Sequence, residues 1–272
     1  MRLHSLLSAS AAALLLPLLA ACDERPKDTW QGYAEGEYVR VAPIDGGLID
    51  TIEVKRGDRV EGGALLFRLD ATQERAAREA AVANLAEAKA TLEEAQLDLK
   101  RKQELRRQRN VAQAELDTSR ARSDRAGAAV LAAASALDQA EWRLKRREGH
   151  APSGAVVQDV LFRAGEFAAA SQPIVSLLPP QNIKVRFFVP EAELGRIREG
   201  GTVLLACSGC PENLMGTIRF VSTEAEFTPP VIYSDRSKEK LVYMSEATPD
   251  ETPEALHPGQ PVTVTLRDLP EE

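Results

Sequence analysis

The residues best suited to chemistry in this chain are its three cysteines and three histidines. Cys207 and Cys210 form the sequence Cys-Ser-Gly-Cys, whereas His150 and His257 lie far apart along the chain. A tetrahedral zinc site needs further ligands beside such a cysteine pair, and neither histidine has a partner nearby in sequence. A disulfide within the loop is the simplest interpretation in an oxidising compartment. Free thiols, or a redox-active pair without a thioredoxin-like context, remain as alternatives.

Other catalytic arrangements are missing from the sequence. No Gly-x-Ser-x-Gly motif occurs, and the acidic residues are scattered as on a solvated surface. We therefore expect a protein that is not an enzyme and that holds no metal and no cofactor. A formal net charge of −7 also disfavours nucleic acid as a partner.

The third cysteine, Cys22, follows a secretion signal. A basic start precedes an apolar run over residues 6–19, which is too short for a comfortable membrane span. The sequence Leu-Ala-Ala-Cys at 19–22 resembles the bacterial lipobox, in which the cysteine is acylated and cleavage occurs before it. This predicts a lipoprotein signal peptide over 1–21 and a protein anchored to the inner membrane on its periplasmic side, with Asp23 resembling a retention signal. An ordinary signal peptide with a chance cysteine is the alternative.

Two stretches, 39–70 and 149–180, share one pattern of turns and apolar residues. Each has an Ala-Pro pair near its start, at 42–43 and 151–152, followed by apolar residues and a turn of glycine and an acidic residue. Neither half can bury enough apolar surface to offset its chain entropy alone. The repeat therefore predicts a lipoyl-like β-sandwich in which the two halves pack on one another.

The segment between the halves, 71–148, has a helical composition, with no proline and Gly127 as its only glycine. Apolar and small residues recur every seven positions in two series, which is typical of two closely packed helices. We expect an antiparallel coiled-coil hairpin that reverses near residues 109–112. A single long helix or a parallel dimer would separate the half-repeats by about 110 Å. The predicted seams are Ala81, Leu85, Ala88, Leu92, Ala95 and Leu99, and Leu116, Ser123, Ala126, Val130, Ala133, Leu137, Ala140 and Leu144.

The remaining segments complete a multidomain α plus β protein. Strand patterns separated by Gly and Pro turns predict a small antiparallel β-barrel over 181–267, with a short helix after Pro190. Residues 22–38 are expected to form an N-terminal tether, and 268–272 a tail.

Taken together, the segments resemble the HlyD-type periplasmic adaptor family, also called membrane fusion proteins. The resemblance covers essentially the whole chain after the signal peptide. It is carried by the two half-repeats and by Gly32-Tyr33-Ala34-Glu35-Gly36, residues 182–190 (Asn-Ile-Lys-Val-Arg-Phe-Phe-Val-Pro), residues 227–234 (Phe-Thr-Pro-Pro-Val-Ile-Tyr-Ser) and Leu256-His257-Pro258-Gly259-Gln260.

The resemblance implies a role in a tripartite efflux or secretion system. Such an adaptor links an inner-membrane transporter to a TolC-like outer-membrane channel, usually as a ring of six copies. The later strand motifs resemble the branch that works with ABC-type exporters. An adaptor of an RND-type pump and a non-transport envelope scaffold are the alternatives. A biotin or lipoate carrier is disfavoured, because the helical segment occupies the place of the modified lysine.

Basic residues cluster at the predicted tip, where Arg106 and Arg109 lie close to the reversal. Channel-docking relatives often carry an arginine, a leucine four positions later and a serine seven positions after that. Arg101 and Leu105 fit this signature, whereas Ala112 stands at the serine position. The tip is therefore predicted to be a docking surface, and its cations also suit the C-terminal end of the first helix.

Overall fold

The computed structural model describes residues 28–227, 241–251 and 253–267. Cys22, Asp23, the signal peptide, the tail and most of the 227–234 motif lie outside the described residues. The chain divides into two compact units, one formed by residues 36–182 and the other by the segments on either side.

The elements follow one another along the chain with a helical pair between two groups of strands. They are β1 (Thr29–Gly36), β2 (Val39–Val41), β3 (Gly47–Ile52), β4 (Arg59–Val60), β5 (Leu65–Leu69), α1 (Thr72–Arg107), α2 (Gln113–Lys145), β6 (Glu148–His150), β7 (Ala155–Val160), β8 (Phe167–Ala168), β9 (Val175–Leu178), β10 (Ile183–Pro190), β11 (Thr202–Ala206), β12 (Leu214–Phe227), β13 (Leu241–Pro249) and β14 (Pro261–Leu266). The expected fold class is confirmed.

The two half-repeats form one sandwich of two four-stranded sheets, ordered β2-β9-β7-β4 and β6-β5-β3-β8. Every strand of the first half pairs with a strand of the second: β2 with β9, β3 with β8, β4 with β7 and β5 with β6. Neither half could complete its sheets alone, as the repeat predicted. The core draws on both halves, including Ile49, Leu66, Phe67, Leu69, Val157, Ile174, Val175 and Leu177.

Gly149 allows the closest approach within this sandwich. It lies on β6, and a Cβ atom built there would overlap the ring of Phe67 on β5. The Phe67 side chain is almost completely buried, so the ring has little room to move away. Position 149, where the chain leaves the hairpin and enters the second half-repeat, therefore requires glycine.

We expect Gly149→Ala to lower the free energy of unfolding by about 2–3 kcal/mol, because the added methyl group overpacks a filled core. The matched control is Gly154→Ala, where a Cβ atom would meet only the Val60 carbonyl oxygen at 3.7 Å. Urea denaturation of both variants measures the difference. Equal stability of the two variants would contradict this account of the packing.

The helical pair has the predicted seams. All residues assigned to the two series are buried or half-buried, with Ala81, Ala95, Ser123, Ala126 and Ala140 the most enclosed. Small buried residues allow the two helices to approach closely along their length. Polar contacts also cross between the arms: Arg78 Nη2 lies 3.1 Å from Glu141 Oε1, and the Ser119 hydroxyl donates to Asp98 at 2.8 Å.

The second unit is a closed barrel of six strands in the order β1-β10-β13-β12-β11-β14. The expectation of a tether over 22–38 is wrong for residues 29–36, because β1 is a barrel strand that pairs with β14 from Thr29↔Thr265 to Tyr33↔Pro261. Trp30 and Ala34 of β1 are buried. Without β1, the strands β10 and β14 would both be open edges.

The short helix expected after Pro190 is a 3-10 helix, Glu191–Arg196. It anchors β1, since the Trp30 indole donates to Glu193 at 2.6 Å and Arg196 pairs with Asp28.

Candidate docking site at the hairpin tip

The tip is a compact turn of residues 108–112 between α1 and α2. Arg109 takes a left-handed conformation with φ of 63°. Its N–H donates to the Arg106 carbonyl at 2.9 Å, and the N–H of Asn110 donates to the Leu105 carbonyl at 2.9 Å. The Arg106 guanidinium then crosses the turn to the Val111 carbonyl at 2.9 Å. The tip is therefore held in one shape by its own hydrogen bonds.

The structure places the five predicted tip residues at this end of the hairpin. Arg101, Arg106, Arg109 and Ala112 are exposed, whereas Leu105 is half-buried between the arms. Leu105 therefore supports the end of the seam, and the other four are accessible to a partner. Ala112 stands where the family signature has a serine. Docking through these residues therefore stays a prediction.

The positive charge at the tip is only partly neutralised within the hairpin. Lys102 Nζ lies 3.0 Å from Glu115, and Arg107 lies 3.3 Å from Glu104. Among the described residues, Arg101 and Arg109 form no ion pair. Their guanidinium groups remain available for carboxylates or carbonyl oxygens of another protein.

Sequence reasoning missed the polar layer directly below the tip. Asp98 of α1 faces Ser119 of α2 in this layer. About one turn closer to the tip, Lys102 of α1 faces Glu115 of α2. An open cavity of about 320 Å³ lies beside them. An aspartate that meets a serine across a coiled coil fixes which residues are opposite, because any shift would leave the carboxylate unpaired. The polar layer therefore sets the register at the end that carries the tip.

The cysteines and histidines that the structure describes are Cys207, Cys210, His150 and His257. Cys207 and Cys210 are joined by a disulfide in the turn before β12, with their Cα atoms 5.3 Å apart. Gln260 donates from Nε2 to the sulfur of Cys207 at 3.1 Å and to the Ser208 carbonyl at 2.9 Å, which ties this turn to the loop before β14. His150 lies on the sandwich beside Glu148. In the described ranges no three Cys, His, Asp or Glu residues are grouped to hold a metal ion.

A half-buried charge network lies on the barrel instead. Glu246 of β13 accepts hydrogen bonds from Lys184 at 2.9 Å and Arg186 at 3.1 Å, and Arg186 also pairs with Glu35 of β1 at 2.9 Å. Burial would raise the pKa of Glu246, but the two cations outweigh it and lower that pKa below its ordinary value of 4.5. The network links β1, the strand that the sequence did not predict, to β10 beside it and, through β10, to β13.

The lowered pKa of Glu246 means that its ionised form stabilises the barrel above pH 4.5, and that this contribution is lost as the pH falls through the folded-state pKa. We expect Glu246→Gln to lower the free energy of unfolding at pH 7 by about 1–2 kcal/mol and to flatten the decline between pH 5 and 3. Chemical denaturation across this pH range measures both effects. Glu226→Gln, an exposed carboxylate on β12, is the control. An unchanged pH profile for Glu246→Gln would contradict this account of the network.

Comparison with known proteins identifies the helical pair. Residues 77–146 match the family model described as RND MFP, alpha-helical hairpin domain. The helical pair is therefore similar to the hairpin of membrane fusion proteins. Its matched range holds both seams, the polar layer and the whole tip.

Relatives and solved structures extend this likeness over the rest of the chain. A UPF0194 membrane protein from Acidithiobacillus ferridurans is 29% identical over 291 residues, covering 88% of this chain and 86% of the relative. Protein YdhJ of Escherichia coli K12 is 30% identical over 190 residues, covering 70% of this chain and 66% of YdhJ. The structure of the membrane fusion protein Spr0693 from Streptococcus pneumoniae R6 is 19% identical, with a TM-score of 0.64 over 89% of this chain and 99% of that chain. The fold outside the hairpin is thus also similar to that of a membrane fusion protein.

Proposed function

We propose that this chain is a periplasmic adaptor of a tripartite efflux or secretion system. In this role it performs no chemistry and joins an inner-membrane transporter to a TolC-like outer-membrane channel. The observation that carries the proposal is the membrane fusion protein hairpin with its exposed basic tip. With arms of 36 and 33 residues, the hairpin holds its tip about 50 Å from the sandwich.

The proposed attachment to the inner membrane depends on the N-terminus of the chain. Lipidation of Cys22, with Asp23 as the retention signal, would tether the chain to the outer leaflet of the inner membrane. Thr29 at the start of β1 is seven residues beyond Cys22 (29 − 22 = 7), a reach of at most about 25 Å. The barrel would therefore lie next to the membrane and its transporter. No helix in the described ranges is long and apolar enough to cross a membrane.

We propose that the chain assembles as a homohexamer. The Cys207–Cys210 disulfide would form in the oxidising periplasm. The strand motifs of the barrel favour an ABC-type transporter as the partner. An RND-type pump is the second candidate, because the hairpin matches a model of RND-associated proteins. Identification of the transporter that copurifies with the chain distinguishes the two.

Site-specific photocrosslinking in cells tests the proposed docking. A photoreactive amino acid placed at Arg106, Arg109 or Ala112 should capture a TolC-like channel. The same amino acid at Glu87, exposed halfway along α1, should not capture it. Absence of the channel from every tip adduct, in cells actively exporting, would favour the non-transport scaffold instead.

A further inference from the structure

The root of the hairpin, where α2 returns to the sandwich, is built around Arg147. Its guanidinium uses two different nitrogens for two different segments. Nη2 pairs with the Glu74 carboxylate in the first turn of α1, and Nη1 donates to the Gly46 carbonyl at 3.1 Å, in the turn before β3. One side chain on the second arm thus holds the first arm and the sandwich together.

The backbone of Arg147 makes a third connection. Its carbonyl accepts a hydrogen bond from the Leu69 N–H of β5 at 2.8 Å, and its own N–H donates to Leu144 at 3.0 Å. Leu69 is a core residue of the sandwich. The end of α2 is therefore bonded to the same strand that leads into α1.

This contact is largely withdrawn from solvent. The side chain of Arg147 is 20% exposed and that of Glu74 is 14% exposed. Removing one partner from such a pair leaves the other charge poorly solvated, which is more damaging than loss of a surface ion pair. The two acceptors also suit a planar guanidinium, which can serve both at once, better than an ammonium group.

Arg146 adds a second connection on the more exposed side of the root. Its Nη2 lies 3.1 Å from Asp45, the residue before Gly46, and its guanidinium lies 4.2 Å from the centre of the Trp142 ring. Two consecutive arginines therefore hold two consecutive residues of one turn. A hairpin that hinged freely at its root would have to break both contacts.

We propose that Arg147 is a positioning residue that makes the root a rigid joint, so that the hairpin and the lipoyl-like sandwich move as one body. The inference deepens the proposed function: in an adaptor, movement of the sandwich would then reach the tip without loss at the root. The lever is long, since a rotation of about 5° at the root displaces a tip about 50 Å away by roughly 4 Å. Arg147 therefore sets where the tip points.

Distances between two spin labels on the purified, full-length mature protein test the joint. Labels attached through introduced ketone amino acids at Lys55 on the sandwich and Arg120 on α2 leave the cysteines untouched, and both positions are exposed. We expect Arg147→Gln and Glu74→Gln each to broaden the distance distribution about 1.5- to 2-fold, because the arm can then rock on its root. Arg143→Gln, an exposed arginine one turn away, should leave it unchanged.

A distribution of wild-type width for Arg147→Gln would overturn the proposal, as would equal broadening for Arg143→Gln. If Arg147→Gln fails to fold by circular dichroism, Arg147→Lys takes its place, since lysine keeps the charge but serves one acceptor at a time. Broadening in Arg147→Lys supports the joint, and a wild-type width overturns it. The measurement needs no partner protein, so failure of the tip crosslinking would contradict the proposed function and leave the joint standing.

Discussion

Removal of one heptad from each arm, residues 82–88 and 130–136, should abolish export while the protein still folds. The two deletions lie between two contacts that match the arms, Arg78 with Glu141 and Asp98 with Ser119. Both contacts, and the seven-residue spacing of the seams, therefore survive. The hairpin becomes about 10 Å shorter, which is too large a gap for a docked tip to close.

We expect export to fall by at least about tenfold, while the melting temperature falls by no more than about 5 °C because only one heptad of the seam is lost. Deletion of 82–88 alone is the control. It shifts one arm against the other, so Asp98 can no longer meet Ser119, and both stability and export should fall. If the variant with the matched deletion exports normally, the full length of the hairpin is not needed for export. If its stability falls as steeply as its export, a mechanical role is not needed to explain the loss.

The second large effect is expected at Cys22. Each buried methylene of an acyl chain contributes roughly 0.8 kcal/mol, so several chains together make a practically permanent anchor. Cys22→Ala, expressed behind an ordinary cleavable signal peptide in place of residues 1–21, should move the protein from the membrane fraction to the soluble periplasm. Export should fall with it, because the barrel is no longer held beside the transporter.

Fractionation and mass spectrometry of the N-terminus measure this prediction. The control keeps Cys22 and its own signal peptide and carries Ser208→Ala in an exposed turn of the barrel. Retention of the Cys22→Ala protein in the membrane, with its signal removed, would show that something other than a lipid holds it there.

The hairpin and the sandwich could be predicted because their patterns are local and repeated. Residues such as Leu85 and Leu92 recur at the spacing that two packed helices impose, so the seam can be predicted from the sequence alone. The sandwich was predictable for a related reason: two similar half-repeats, each too small to fold alone, must share a core. In both cases the same requirement, burial of apolar side chains between two partners, recurs at many positions along the chain.

The barrel strand β1 could not be predicted by this route. Gly32 interrupts its apolar pattern, and that glycine is explained only by a contact distant in sequence: a Cβ there would overlap the Arg186 carbonyl on β10. The same holds for the root, where Glu74 and Arg147 are separated by 73 positions and meet only once the sandwich has closed. Single long-range contacts leave no periodic signal, so the side chains that position the hairpin were found only in the structure.

Affinity purification of the outer-membrane channel from crosslinked cells tests most directly our proposal that this chain bridges two membranes. We expect the inner-membrane transporter to copurify with the channel when the chain is present. The transporter should be lost from the sample when the chain is deleted or carries the matched deletion of 82–88 and 130–136. Equal recovery of the transporter in cells without the chain would contradict the account.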